Sequence, residues 1–453
     1  MAEIDSSGPR HVVGVIGGGM AGAQVASTMA QRGAIAVVFE QNPRPYGKIE
    51  DGLPRWHVKQ RKDEYQEINK RLDDPHVMYV PHTGLGRDIA FGELRDGWGL
   101  SALVLAHGAW RDRPFPVEGA DQFVGRGLLY QNPLIYWFNH YPERDYSGPR
   151  YRVLPGAAVV GGGLASLDVV KVLQIEVTLE ALRARGIEQD MLKLEREGIE
   201  PALNSRGLKW ADLGVRPCKL YYRRRALDMP LSDIPPDADP KRAEVLRQAR
   251  VKVLGKAMRK YLFEFQELRL PTGLIVENSR MVGMQLSRAE PVDGEVRTLP
   301  DTAEPARTPL TICSIGSIPE PIAGIPMRGE VYDYVDQEVG LLMEGPTPVF
   351  GAGNVLSGKG NIKDSLHSGS EVGTRVAESY LGLTDQPVAL TEGAWRKAAQ
   401  RAYRIWERLN VRPPLAADRV AALIARVEER QRAVGYEGDY RSWIARVTPP
   451  DLS

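Results

Sequence analysis

Cysteine is nearly absent from this chain: Cys218 and Cys313 are the two among 453 residues, 95 positions apart. That spacing excludes a disulfide framework, a C-x-x-C redox pair and any four-cysteine zinc or iron–sulfur site, so no metal site is expected. An excess of one charge is also missing. Lys+Arg number 59 and Asp+Glu 58, a net +1 that gives no global attraction for nucleic acid or anionic lipid. No apolar run approaches the ~18–20 residues of a membrane span. The opening MAEIDSSGPRH is polar and lacks the apolar segment of a signal peptide. With two structural thiols, the expected setting is the cytoplasm. A hydrophobic content of 43% and a charged content of 26% are those of a globular chain, long enough for two or three domains.

What the sequence does have is a concentrated signal between Val12 and Glu40, VVGVIGGGMAGAQVASTMAQRGAIAVVFE. Val12–Ile16 is the short apolar run of a buried parallel strand. Gly17, Gly19 and Gly22 then fit G-x-G-x-x-G and open a helix that ends near Gly33. A second apolar run, Ile35–Phe39, closes on Glu40. The first glycine permits the tight turn, the second lets backbone N–H groups approach a pyrophosphate, and the third allows close helix–strand packing. A carboxylate at position 40 can accept both hydroxyls of an adenosine ribose.

The pattern recurs 144 residues later. Ala157–Val160 reads as a strand, Gly161-Gly162-Gly163-Leu164-Ala165-Ser166 as the turn, with Ser166 in place of the third glycine, and Leu167–Ile175 as the helix that follows. Here no acid closes the second strand. The run Cys218–Tyr222 ends in Arg223, Arg224 and Arg225, and guanidinium groups bind a ribose 2′-phosphate that a carboxylate would repel. The first site therefore suits FAD or NAD, and the second suits NADPH.

Between and after these units lie weaker signals. The irregular loop after Glu40 carries Gly47 and His57, a histidine able to touch a redox ring. Arg61–Leu72 reads as a surface helix. Ala106, His107, Gly108 and Ala109 form a small-residue turn at a strand end, suited to close ligand approach. Leu128–Glu143 is unusually aromatic. Lys241–Lys260 holds eight basic residues against one acid, with Lys252, Lys256, Arg259 and Lys260 at helical spacing. Near Gly353, Asn354, Gly360 and Ile362 a strand passes into a helix whose N–H groups can face an electron-rich ring edge. The final seventy residues read as helical, with no chemistry in them.

These features resemble the adrenodoxin-reductase-like NADPH–ferredoxin reductases, within the two-dinucleotide-binding-domain flavoproteins. The likeness covers roughly residues 10–382. Gly17, Gly19, Gly22 and Glu40 fall on that family's FAD fingerprint, and Pro45-Tyr46-Gly47 on its P-F-G turn. Leu134–Asn139 is similar to its F-V-G-W-Y-N segment. Gly161–Asp168 is similar to its G-Q-G-N-V-A-L-D, with Gly162 and Leu164 substituted. Arg223 and Arg224 lie on its 2′-phosphate pair, and Asn354 stands where a tryptophan is usual.

The resemblance implies an α/β fold of two Rossmann-like domains. A discontinuous FAD domain (1–112 and 325–453, with a helical C-terminal extension) would carry an inserted NADPH domain (113–324). It implies hydride transfer from NADPH to FAD, then single electrons to a ferredoxin-type iron–sulfur protein, with no nucleic acid and no membrane span. Two alternatives stay open: a flavin-dependent dehydrogenase or monooxygenase acting on a small organic substrate, and a non-catalytic nucleotide-sensing flavoprotein.

Overall fold

The computed structural model describes residues 8, 10–235, 237–358, 360–383 and 412–449. The opening residues 1–7 and residues 384–411 of the expected helical extension lie outside the described residues. The chain forms two compact units: Met1–Leu53, His57–Arg111 and Ile318–Ser453 in one, Pro54–Trp56 and Asp112–Ser317 in the other.

The first unit begins with β1 (Val12–Ile16), α1 (Met20–Gln31) and β2 (Ile35–Phe39), and both strands are buried along their whole length. Residues buried on both faces need no polar alternation, which is why the two strands read as continuous apolar runs. α2 (Val58–Leu72), β3 (Val77–Val80) and β4 (Ala102–Leu105) follow. α2 is less of a surface helix than its charges predict. Arg61 is buried, donating to the Tyr65 hydroxyl (3.1 Å) and the Glu50 carbonyl (3.2 Å).

The second unit contributes β5 (Leu128–Tyr130), α3 (Gln131–His140), β6 (Ala158–Gly161), α4 (Leu164–Arg183), β7 (Lys219–Tyr221), α5 (Pro240–Tyr261), β8 (Glu264–Gln266) and β9 (Thr311–Ser314). Its sheet is parallel throughout, in the order β5-β9-β6-β7-β8. The aromatic segment becomes α3, with Leu134, Ile135, Trp137 and Phe138 buried in this unit's core. Asp239 caps α5 by accepting from the Arg242 N–H, and the helix runs through Gly255 without a break. Strands Arg269–Glu277, Arg280–Val292, Glu295–Thr298 and Glu304–Arg307 make a separate antiparallel sheet.

The first unit is completed by β10 (Leu341–Met343), β11 (Val349–Gly351), α6 (Ile362–Arg375), α7 (Ala417–Ala433) and α8 (Tyr440–Val447). Its six-stranded sheet has the order β10-β11-β4-β1-β2-β3, with β10 alone antiparallel to its neighbour. α8 is clamped onto the loop after β2. The Trp443 indole N–H donates to the Pro43 carbonyl (2.7 Å), the Arg44 guanidinium donates to the Val447 carbonyl (3.1 Å), and the Tyr440 hydroxyl donates to Asn69 (2.7 Å). Arg44 also makes a buried ion pair with Glu50 at 2.6 Å. Among the described residues no helix is long and apolar enough to cross a membrane.

Candidate dinucleotide sites

In each unit a glycine turn links a central strand to a helix. The ends of parallel strands are where open α/β sheets bind ligands.

In the first unit β1 delivers Gly17 at φ 97°, and a Cβ there would sit 2.8 Å from the Ala106 carbonyl and the His107 Cα. The Ala106–Ala109 turn is thus the wall behind the first glycine. A Cβ at Gly22 would lie 1.8 Å from the Gly17 carbonyl oxygen, so glycine there is a packing necessity. Gly19 is different. Its φ of −64° is open to any residue, and a Cβ would meet nothing nearer than the Pro45 carbonyl at 3.9 Å. Neither conformation nor packing within the protein requires that glycine, which fits a ligand backbone lying against it. Gly19 is the N-cap of α1, with no side-chain cap and no acid in the first turn, so the positive helix end is open to an anion.

Glu40 lies level with Gly17 at the end of β2 and is buried. Its carboxylate accepts from the N–H groups of Gly18 (2.8 Å) and Asn42 (2.9 Å), leaving one lone pair on each oxygen for a ligand hydroxyl. Burial pushes the carboxyl up to about 7, against the pull of those two bonds.

Two further strand ends meet here. Tyr332 donates its only hydroxyl proton to the Glu320 carbonyl (2.8 Å), so His107 Nε2, 3.0 Å from that hydroxyl, is the donor in their contact. That leaves His107 Nδ1 as a buried acceptor with no partner among the described residues. Burial lowers the ring to about 4, so it is neutral at pH 7. Just beyond β11, which pairs with β4, Gly353 at φ 71° lies against Ala21 of α1, and Asn354 Oδ1 is a second buried acceptor without a partner among the described residues. Gly360 faces the Asn354 amide nitrogen.

Ile362 begins α6, but that helix end is already committed. The Asn361 side chain accepts from the Asp364 N–H (2.7 Å), and Asp364 places an acid in the first turn. Gly47 (φ 49°) and Gly108 (φ 75°) both face the Trp110 ring, whose N–H donates to the His107 carbonyl (2.8 Å). Trp110 and Tyr332 were not singled out by sequence pattern, and His107 was named only as part of a small-residue turn, because their roles come from contacts between segments distant in sequence. His57 stands at the N-cap of α2, half-buried, without a side-chain cap bond.

In the second unit Gly161 is pinned. A Cβ there would lie 2.1 Å from the Ser314 carbonyl oxygen and 2.3 Å from the Ser166 hydroxyl. Ser166 turns its hydroxyl back into the sheet, donating to the Ser314 carbonyl (2.8 Å), and so acts as a helix–sheet tie. Gly163 repeats the case of Gly19: φ is −87°, nothing lies within 4 Å of a Cβ, and α4 has neither a side-chain cap nor an acid in its first turn. Leu164, the first helical residue, is 53% exposed, a large apolar side chain uncovered beside the turn. After β7, Arg223 is exposed and makes no ion pair among the described residues. Arg224 donates to the Gly294 carbonyl (2.6 Å), and Arg225 pairs with Asp228 (2.9 Å). Of the three arginines, Arg223 is the one whose guanidinium makes neither a hydrogen bond nor an ion pair among the described residues.

No family model matches the chain. It is 26% identical over 265 residues to the mitochondrial NADPH:adrenodoxin oxidoreductase of Arabidopsis thaliana, covering 56% of this chain and 52% of that protein. It is 25% identical over 221 residues to the enzyme of the same name from Drosophila melanogaster, 46% of each chain. The matched part thus spans about half the length of these relatives. Among solved structures, Mycobacterium tuberculosis FprA in complex with NADPH has a TM-score of 0.65 at 17% identity, covering 93% of this chain and 91% of that one. Likeness in sequence to these reductases, over about half their length, and likeness in fold to FprA thus point the same way, and the fold is that of two Rossmann-like domains.

Proposed function

We propose that this chain is an FAD-dependent oxidoreductase of the ferredoxin–NADP reductase type. In this reading FAD is held by the first unit and NADPH by the second. Hydride is taken from NADPH, and electrons leave one at a time to a ferredoxin-type iron–sulfur protein. Bound flavin supplies the conversion between two-electron and one-electron chemistry. The chain's own residues bind and orient. Gly19 and Gly163 leave room for pyrophosphates at open helix ends, Glu40 receives ribose hydroxyls, and Arg223 takes a 2′-phosphate with Arg224 beside it. A cytoplasmic setting completes the proposal, in keeping with two buried thiols that burial pushes up to about 12.

The observation that carries this reading is the contrast at the ends of β2 and β7, an acid after one and an uncommitted arginine after the other. The test is an anaerobic titration of the purified protein with NADPH and then with NADH. Yellow protein bleached by stoichiometric NADPH, and restored by a ferredoxin that becomes reduced, is the expected result. A colourless protein, or a flavin that NADPH leaves oxidised, overturns it.

A further inference from the structure

Strand register aligns the two glycine turns residue by residue. In the first sheet Ile16 pairs with Phe39, which puts Gly17 level with Glu40. In the second, Val160 pairs with Tyr221, which puts Gly161 level with Tyr222. Tyr222 therefore occupies the station that the acid holds in the first unit. The middle glycines agree. A Cβ on Gly18 would come 3.5 Å from the Glu40 carboxylate, and a Cβ on Gly162 would come 2.1 Å from the Tyr222 ring. Gly162 is glycine because that ring fills the place of its side chain.

The residue is held by its backbone and its hydroxyl. The Tyr222 N–H donates to the Gln266 carbonyl (3.0 Å), its own carbonyl accepts from the Arg269 N–H (3.0 Å), and its hydroxyl donates to the Asp228 carbonyl (3.1 Å). With the hydroxyl proton spent inside the protein and the side chain half-buried, what remains for a ligand is uncharged ring surface, one residue before Arg223. A carboxylate at this station would repel a ribose 2′-phosphate, whereas a neutral ring does not, and an aromatic face can stack on a nucleotide.

We propose that Tyr222 is a specificity-determining residue of the second site, a neutral counterpart of Glu40 that admits the phosphorylated ribose and lines the adenosine end of the cofactor. The inference rests on reading the second unit as an NADPH site, and the experiment separates the two.

NADPH and NADH affinities are measured by calorimetry for the full-length flavin-loaded protein and for Tyr222→Glu, Tyr222→Phe and Tyr222→Leu. Flavin content and far-UV circular dichroism serve as folding checks. Tyr222→Glu is expected to bind NADPH at least tenfold more weakly with little change for NADH, and Tyr222→Phe to match the parent. Tyr222→Leu should keep the preference while binding both cofactors more weakly, on the order of fivefold or more, as stacking is lost. An unchanged NADPH/NADH ratio in Tyr222→Glu overturns the proposal, as does, should that variant not fold, unchanged NADPH affinity in Tyr222→Leu. A loss in Tyr222→Phe equal to that in Tyr222→Glu assigns the effect to the hydroxyl and overturns it as well. If the parent itself shows no preference for NADPH, the site reading fails and takes the inference with it. If the parent prefers NADPH and no variant departs from it, the assignment of Tyr222 alone fails.

Discussion

In the first glycine turn the middle residue, Gly18, gives its N–H to the Glu40 carboxylate; in the second, Gly162 lies under the ring of Tyr222, with Arg223 next in the chain. Both turns leave an uncapped helix end beside a glycine with empty space where its side chain would be. The shared parts are those that suit any dinucleotide. Apart from Ser166 in place of the third glycine, the differing parts that bear on ligand choice follow the second strand, where one dinucleotide would be told from another. In the proposed reading, one architecture serves two ligands by holding the glycine turn nearly constant and varying the residues that follow the second strand.

The largest expected effect breaks the shared part. Gly22→Ala places a methyl group 1.8 Å from the Gly17 carbonyl, and overpacking of this kind costs about 3 kcal/mol or more, so the protein should melt early with or without flavin. Gly19→Val is its control. The protein itself has room there, so thermal stability of the flavin-free form should be nearly unchanged while flavin is absent from the purified protein. Full flavin occupancy in Gly19→Val would remove the pyrophosphate from that position.

Next comes the variable part of the second turn. Arg223→Ala should weaken NADPH binding on the order of tenfold to a hundredfold, since a charge-assisted bond is worth about 1.5–3 kcal/mol, and leave NADH nearly untouched. Arg224→Ala should do less, because that guanidinium already serves the Gly294 carbonyl. Equal losses for both cofactors, measured by calorimetry, would place the arginines in folding.

The variable part of the first turn has a pH signature. The Glu40 carboxyl sits near 7 in the ligand-free protein, raised by burial, and ribose hydroxyls favour its charged form. Binding therefore expels a proton below about pH 7. Flavin affinity should rise by about tenfold from pH 6 to pH 8 and level off above, and Glu40→Gln should flatten the curve. The sign for the ligand-free protein is opposite. A raised carboxyl favours the folded state at low pH, and that contribution fades between the ordinary carboxylate range and 7. Flavin fluorescence titrations across this range check the first statement, and melting curves the second.

The smallest effect concerns α5. Lys252, Lys256 and Arg259 are exposed and could meet an acidic partner protein, whereas Lys260 is drawn to Glu195 at 3.7 Å and lies over the Tyr261 ring. Reversing Lys252 and Lys256 to Glu should slow reduction of an acidic ferredoxin severalfold at low salt, with ferricyanide reduction unchanged. Exposed charges are screened within ~8–10 Å at physiological salt, so the difference should vanish there. A ferredoxin rate indifferent to both reversal and salt would exclude this helix.

The sheets and their turns were legible in the sequence because each depends on residues close together. β1 and β2 fall where their apolar runs predict, and the basic stretch Lys241–Lys260 lies within α5. What could not be read depends on pairs far apart. Pro45 against Gly18, Tyr222 against Gly162 and His107 against Tyr332 leave no periodic trace, and an isolated tyrosine or histidine carries no sign of its neighbour. The burial of Arg61 was hidden for the same reason, since its partners Tyr65 and Glu50 become visible once helix and loop are folded together. Likewise, Ser166 fits the small-residue slot of the motif, yet which way its hydroxyl turns was decided by Ser314 on another strand.

The clamp of α8 on the loop after β2 sets an order of events. Pro45, which lies against Gly18, is flanked by Pro43 and Arg44, and these are fastened by residues about 400 positions later. A ribosome adding about 5–20 residues per second needs on the order of 20–80 s to cover that distance. Throughout that interval the loop that faces the glycine turn of β1 and α1 has only its bonds to the early chain, among them the Arg44–Glu50 ion pair and the Tyr79 hydroxyl on the Pro43 carbonyl (3.3 Å). In the proposed reading, the loop that faces the first glycine turn therefore gains its last bonds only after residues 440–447 have been made, and the tightest flavin binding waits for them.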